Sequence, residues 1–203
     1  AMRLTAILLE HSHGKTPTTY ALADMMSLHA ARLPGRVDAS GNLYSLFDQD
    51  RSHWDRQLLA EGETFLDLSA TGSELTEYHV EAAIASIHAR AARIDDTDWK
   101  TIISLYDTLA IIGPSPVVAL NRAIAVAQLD GPERGLEEIR RTVDGDRLAA
   151  YPFYFAAIGE MELQLGRNET AHEHFRAALT LARNPMERRF LNGRLHACEP
   201  RDI

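Results

Sequence analysis

A single cysteine, Cys198, excludes an intramolecular disulfide and makes a reducing, cytoplasmic setting the simplest expectation for these 203 residues. Asp107, Arg122 and Glu81 interrupt the longest apolar stretches, so no segment of about 20 uncharged residues is present to cross a membrane. A signal peptide is not expected either, since one basic residue precedes the polar segment Glu10 to Lys15. Ala1-Met2 reads as a tag remnant before a start methionine, which leaves open a short gene product or a piece of a longer one.

Excess positive charge is also lacking. The formal charge is −8, with acidic residues spread over both halves, a field that repels phosphate backbones. The most basic stretch, Arg183 to Arg194, has four arginines spaced among apolar residues and reads as a solvated helix face, so direct nucleic-acid binding is not expected. Catalytic patterns are missing in turn. There is no HExxH and no cysteine cluster; His11 with His13, and His172 with His174, are two apart and would point to different helix faces. Ser52-His53 and Ser86 with His88 lack the glycine elbow of a nucleophile, and Gly113-Pro114-Ser115-Pro116 lacks the amides and lysine of a phosphate loop. The expectation is a non-enzymatic chain with no metal and no cofactor.

What is present is helical periodicity. Leu4, Ile7 and Leu8 suggest a short first helix, and Thr16-Pro17 opens a second over 17–33 with Ala21, Met25, Leu28 and Ala31 on one face. Pro34-Gly35 stops it, and residues 36–47 fit one small β-hairpin, the only non-helical candidate. Asp50 would cap a helix running to Ala70. Ser73 would cap one over 74–93 that buries Leu75, Tyr78, Ala82, Ile84 or Ala85, and His88. Asp95 to Asp98 precede a helix from Trp99, and Ser115-Pro116 opens helices 116–129 and 132–142, split at Gly131. After a polar turn at 143–147 come 149–165, 168–182 and 186–196.

The fold class is therefore all-α, built of antiparallel hairpins, in two parts (1–112 and 113–203) of one continuous domain. Residues 149–182 match the large and small positions of a tetratricopeptide repeat. Gly159 and Ala171 would let two helices approach, Phe155 and Phe175 would fill the space between repeats, Ala178 would keep the seam narrow, and Gly166 would turn the chain. A run of such pairs has a right-handed superhelical tendency.

The most unusual polar segment is Asp48-Gln49-Asp50-Arg51-Ser52-His53-Trp54-Asp55. It reads either as an exposed binding surface anchored by Trp54, or as a brace with Trp54 in the core and Arg51 paired to a carboxylate. Asn121-Arg122, amid apolar neighbours, could bond across to another element, with Asp107 as counterpart. A competing reading gathers His79, Glu81, His88, Asp107 and Arg122 into a pocket between the two halves, as a small-ligand binder or enzyme would need.

Several motifs taken together resemble one family. They are Ala30-Ala31-Arg32 with Arg36-Val37-Asp38, Asp48 to Asp55, Glu81-Ala82-Ala83-Ile84 with His88, Asp96-Thr97-Asp98-Trp99, Leu105-Tyr106-Asp107, Pro114 to Val118, Leu120-Asn121-Arg122-Ala123, Leu165-Gly166-Arg167 and Glu187 to Leu191. From about residue 18 to 196 the chain is similar to the C-terminal extension of extracytoplasmic-function sigma factors of the sigma-70 family. The resemblance implies a cytoplasmic bacterial transcription regulator that acts by protein contact. The implied partners are sigma regions 2 and 4 of the full-length protein, RNA polymerase and a small YCII-like protein.

Overall fold

The computed structural model describes residues 2–38, 43–45, 48–142 and 145–199. Within them the chain is all-α, with ten α-helices. Contacts group it into two compact units, Ala1–Val37 with Tyr44–Gly113, and Asp38–Leu43 with Pro114–Ile203.

In the first unit lie α1 (Met2–Glu10), α2 (Pro17–Ala31), α3 (Arg56–Ser69), α4 (Glu77–Arg90) and α5 (Trp99–Ile112). Helix α2 starts where Thr16 accepts the amide of Thr19 at 3.1 Å and Pro17 takes the first position, which needs no amide donor. It packs against α1, α3 and α4 at once, so its burial is not a single stripe. Ala21, Leu28 and Ala31 are buried as the spacing predicts, but so are Ala23, Asp24 and Ser27. Gly62 permits the close approach of α3, because a Cβ there would lie 2.6 Å from Leu28 Cδ2.

Two helix starts differ from expectation. Asp50 caps only a 3-10 turn, Arg51–His53, and α3 begins at Arg56, where Asp55 accepts the amides of Gln57 and Leu58 at 2.9 and 3.1 Å. Helix α4 starts at Glu77 rather than 74. Its cap is Thr76, whose amide donates to Nδ1 of His79 at 3.1 Å, and Ser73 is a loop residue. Leu75 and Tyr78 are consequently exposed, and the buried face is Val80, Ala82, Ile84, Ala85 and Ser86. On α5, capped by Asp98 through Thr101, Ile102 and Leu109 are buried.

Of the hairpin expected over 36–47, residues 39–42 and 46–47 lie outside the described residues. Val37 and Leu43 are bridge residues and Arg36 O accepts the amide of Tyr44 at 2.9 Å, so what is described of the hairpin is an isolated β-bridge without a longer ladder among the described residues.

The second unit holds α6 (Pro116–Asp130), α7 (Pro132–Arg140), α8 (Pro152–Gln164), α9 (Asn168–Leu181) and α10 (Pro185–Ala197). Residues 143 and 144 of the expected turn at 143–147 lie outside the described residues. Proline opens four of these helices, and Ser115 and Asn184 cap two of them through Val118 and Glu187. Leu120, Ala123, Leu136, Ile139, Leu148, Ile158 and Met161 form one core cluster; Ala171, Phe175, Ala178, Leu191 and Cys198 form another.

The α8–α9 turn is built on Gly166 at φ +72°. Arg167 N donates to Glu162 O at 2.9 Å and Gly166 N to Leu163 O at 3.0 Å, the pair of bonds that closes a helix through a left-handed residue. Gly159 faces the Phe175 ring, where a Cβ would sit 3.0–3.1 Å from three ring carbons. Phe175 thus packs in the seam of its own hairpin and also against Leu191 of α10, whose Arg194 guanidinium lies 5.8 Å from its ring centre. Phe155 packs at the edge of the same cluster.

Candidate interaction and bracing site

The polar segment 48–55 folds inward at alternate residues. Trp54 is 2% exposed, Gln49 is buried and donates to Tyr44 O at 3.4 Å, while Asp48, Asp50 and Asp55 stay at the surface. Each surface carboxylate serves the backbone or a near neighbour. Asp48 accepts Ser45 Oγ at 2.5 Å, Asp50 accepts the amide of Ser52 at 2.9 Å, and Asp55 caps α3. The Asp55 amide in turn donates to Ala31 O at 2.9 Å, tying the start of α3 to the end of α2.

Arg51 is the long-range member. Its Nη1 donates to the carbonyls of His88 at 2.9 Å and Ala91 at 2.7 Å, and its Nη2 reaches Thr97 Oγ1 at 3.4 Å. The last carbonyls of a helix have no partner within the helix, and a guanidinium supplies both donors and the positive charge that the helix C-terminus favours. The expected carboxylate partner of Arg51 is replaced by these carbonyls. Burial pushes the Arg51 pKa down, partly offset by Asp96, which is itself held by Arg93 at 3.3 Å.

The same guanidinium lies 5.2 Å from the centre of the Trp54 ring, and that of Arg32 lies 5.4 Å from it. Burial, with Arg36 and Arg51 nearby, pushes Arg32 down to about 10. His88, half-buried and edge-on to Trp99 at 5.3 Å, is pushed down to about 4 by burial, with Arg32, Arg51 and His29 adding to the effect. At neutral pH it is an uncharged imidazole amid cations.

The other sequence candidates belong to both units. Asp107 is exposed on α5 in the first unit; Asn121 is exposed on α6 in the second. Arg122 pairs with Glu138 of α7 at 2.5 Å, and Glu138 also meets Arg141 at 3.3 Å. His79 holds the α4 cap and Glu81 is exposed. Among the described residues no three His, Cys, Asp or Glu side chains are grouped as metal ligands. Among the described residues no helix is long and apolar enough to cross a membrane.

Three features escaped sequence reasoning. Asp24 is fully buried in α2 with neither carboxylate oxygen hydrogen-bonded; burial raises it to about 7, against the field of Arg90 and with that of Glu63. A cleft of about 220 Å³ lies against α1, α2 and α3, lined by Thr5, Met26, Ser27 and Phe65 among others. Arg167 joins Glu162 on α8, at 3.1 Å, to Glu133 on α7, at 2.7 Å. The i,i+5 offset of Arg167 from Glu162 could have suggested the first of that pair; nothing local signals the second.

Residues 1–70 match a family of unknown function, DUF6596. The whole chain is 37% identical over 205 residues to an uncharacterized protein of Rhizobium meliloti (strain 1021), and it spans 48% of that protein's length. No solved structure matches the chain.

Proposed function

We propose that the chain is the regulatory protein-interaction domain of a bacterial sigma factor of the extracytoplasmic-function type, acting in the cytoplasm and without catalysis. It would tune transcription initiation through contact with sigma regions 2 and 4, with RNA polymerase, or with a small YCII-like protein. The observation that supports this most is that the entire chain aligns with about half of a longer relative, as an extension fused to other regions would. The motif resemblance supplies the identity of those regions.

The geometry adds a physical rationale. Arg51, Trp54 and Asp55 tie α2, α3 and α4 together, which suits a rigid module that presents helix surfaces to a partner. In the second unit Gly159 of α8 against Phe175 of α9, and the positive-φ glycines Gly131 and Gly166 at the two turns, support reading α6–α7 and α8–α9 as tetratricopeptide-like hairpins. Such hairpins carry many kinds of partner, so they support an interaction role without choosing one.

The test is co-purification of the chain with separately expressed sigma regions 2 and 4 and with core polymerase. A stable complex with either is expected. Absence of association with both, in cis and in trans, would overturn the proposal.

A further inference from the structure

Around Trp54 the first unit gathers more positive charge than it neutralises. His29 lies in the last turn of α2, Arg32 is the C-cap of that helix three residues on, and Arg36 follows across the 3-10 turn Leu33–Gly35. That turn rests on the indole: a Cβ at Gly35 would lie 3.0 Å from Trp54 Cδ1 and 3.1 Å from Nε1. Arg51 approaches the same ring from the other segment, but its donors are committed to the α4 carbonyls.

Arg32 and Arg36 have no such commitment. Among the described residues neither guanidinium makes a hydrogen bond or ion pair; Arg32 has only its contact with the Trp54 ring, and Arg36 is exposed. In a chain of net charge −8, with acidic residues available throughout, two neighbouring arginines are left without a carboxylate. A half-buried guanidinium normally meets an anion, because its desolvation is otherwise uncompensated. Its planar fork of donors suits oxyanions in particular.

We infer that Arg32 and Arg36, with His29 beside them, bind one phosphate-class dianion on the surface of the first unit. Two uncompensated guanidinium charges match a dianion, whereas a single carboxylate would leave one of them unneutralised. Trp54 fixes the position of Arg32 from below, and Arg51 positions Trp54 by bracing its segment to α4. The ligand is either free inorganic phosphate or the terminal phosphoryl group of a small phosphomonoester.

The chain is titrated with inorganic phosphate and, in a parallel arm, with glycerol phosphate, in chloride buffer of constant ionic strength, with heat and Trp54 emission as readouts. Saturable one-site binding is expected, weakened about tenfold or more in R36Q, as loss of one charge-assisted contact implies. R32Q should behave likewise, and R140Q, on the exposed end of α7, should bind as the parent does. Tighter binding of glycerol phosphate would assign the site to a phosphomonoester, and equal or weaker binding to the free anion. R36Q alone carries the test if R32Q fails to fold, since its side chain is exposed. No saturable binding in either arm, or R36Q binding as tightly as the parent, would overturn the inference.

Discussion

Replacing Arg51 by alanine should make the first unit unfold more readily. The substitution removes two hydrogen bonds from a charged donor, at 2.9 and 2.7 Å, and leaves the carbonyls of His88 and Ala91 without that partner. Each such bond contributes about 1.5–3 kcal/mol. The contact with the Trp54 ring adds about 0.5–1 kcal/mol. Because both bonds come from one side chain they do not add fully, and the expected loss is about 3 kcal/mol. R51K, with one ammonium in place of a fork, should recover less than half of it. Both tryptophans, Trp54 and Trp99, belong to the first unit, so urea unfolding followed by tryptophan emission reports that unit alone. A change below about 0.5 kcal/mol for R51A, the size of an ordinary surface substitution, would refute the bracing role.

Four other outcomes are expected. Asp24, raised from 3.8 to about 7, contributes stability that is fully present below pH 3.8 and is lost as pH rises to about 7, a cost of up to about 4 kcal/mol before solvent relaxation reduces it. D24N should therefore be more stable than the parent by about 1–2 kcal/mol at pH 8; an unchanged urea midpoint there would contradict this. His88 acts in the opposite sense: lowered from 6.5 to about 4, it contributes stability present above pH 6.5 and lost as pH falls to about 4, so D24N should lose stability more steeply than the parent between pH 6.5 and 4.5. In the second unit G159A should destabilise, because a methyl 3.0–3.1 Å from the Phe175 ring costs about 1–3 kcal/mol. That exceeds the helix-propensity gain of about 1 kcal/mol. F175A should cost about 3–5 kcal/mol, both read by far-UV circular dichroism.

Helix content was legible because the chain punctuates itself. Thr16-Pro17, Ser115-Pro116, Gly131-Pro132 and Gly166 mark ends that the structure uses. The starts of α3 and α4 were not, since two capping residues compete at each. Asp50 and Asp55 can both accept forward amides, and Ser73 and Thr76 both precede a helical pattern. Tertiary bonds decide: the Asp55 amide is held by Ala31 O, and burial of Trp54 fixes the residue from which α3 departs. The partner of Arg51 was hidden for a different reason. Side-chain chemistry suggests a carboxylate, and a helix end 37 residues away has no local signature. Burial of Asp24 and Ser27 likewise depends on α2 meeting three helices, while a periodicity argument assumes one buried face.

The most direct measurement of the central claim is promoter-specific transcription by sigma regions 2 and 4 joined to this chain, compared with the same regions without residues 2–199. The account predicts that removal changes transcript yield about tenfold or more, an interaction energy within the usual range for coupled sites, with sigma regions 2 and 4 still bound to polymerase. R51A should reproduce part of that change. Equal yields from the intact and shortened proteins, at every promoter they recognise, would contradict it.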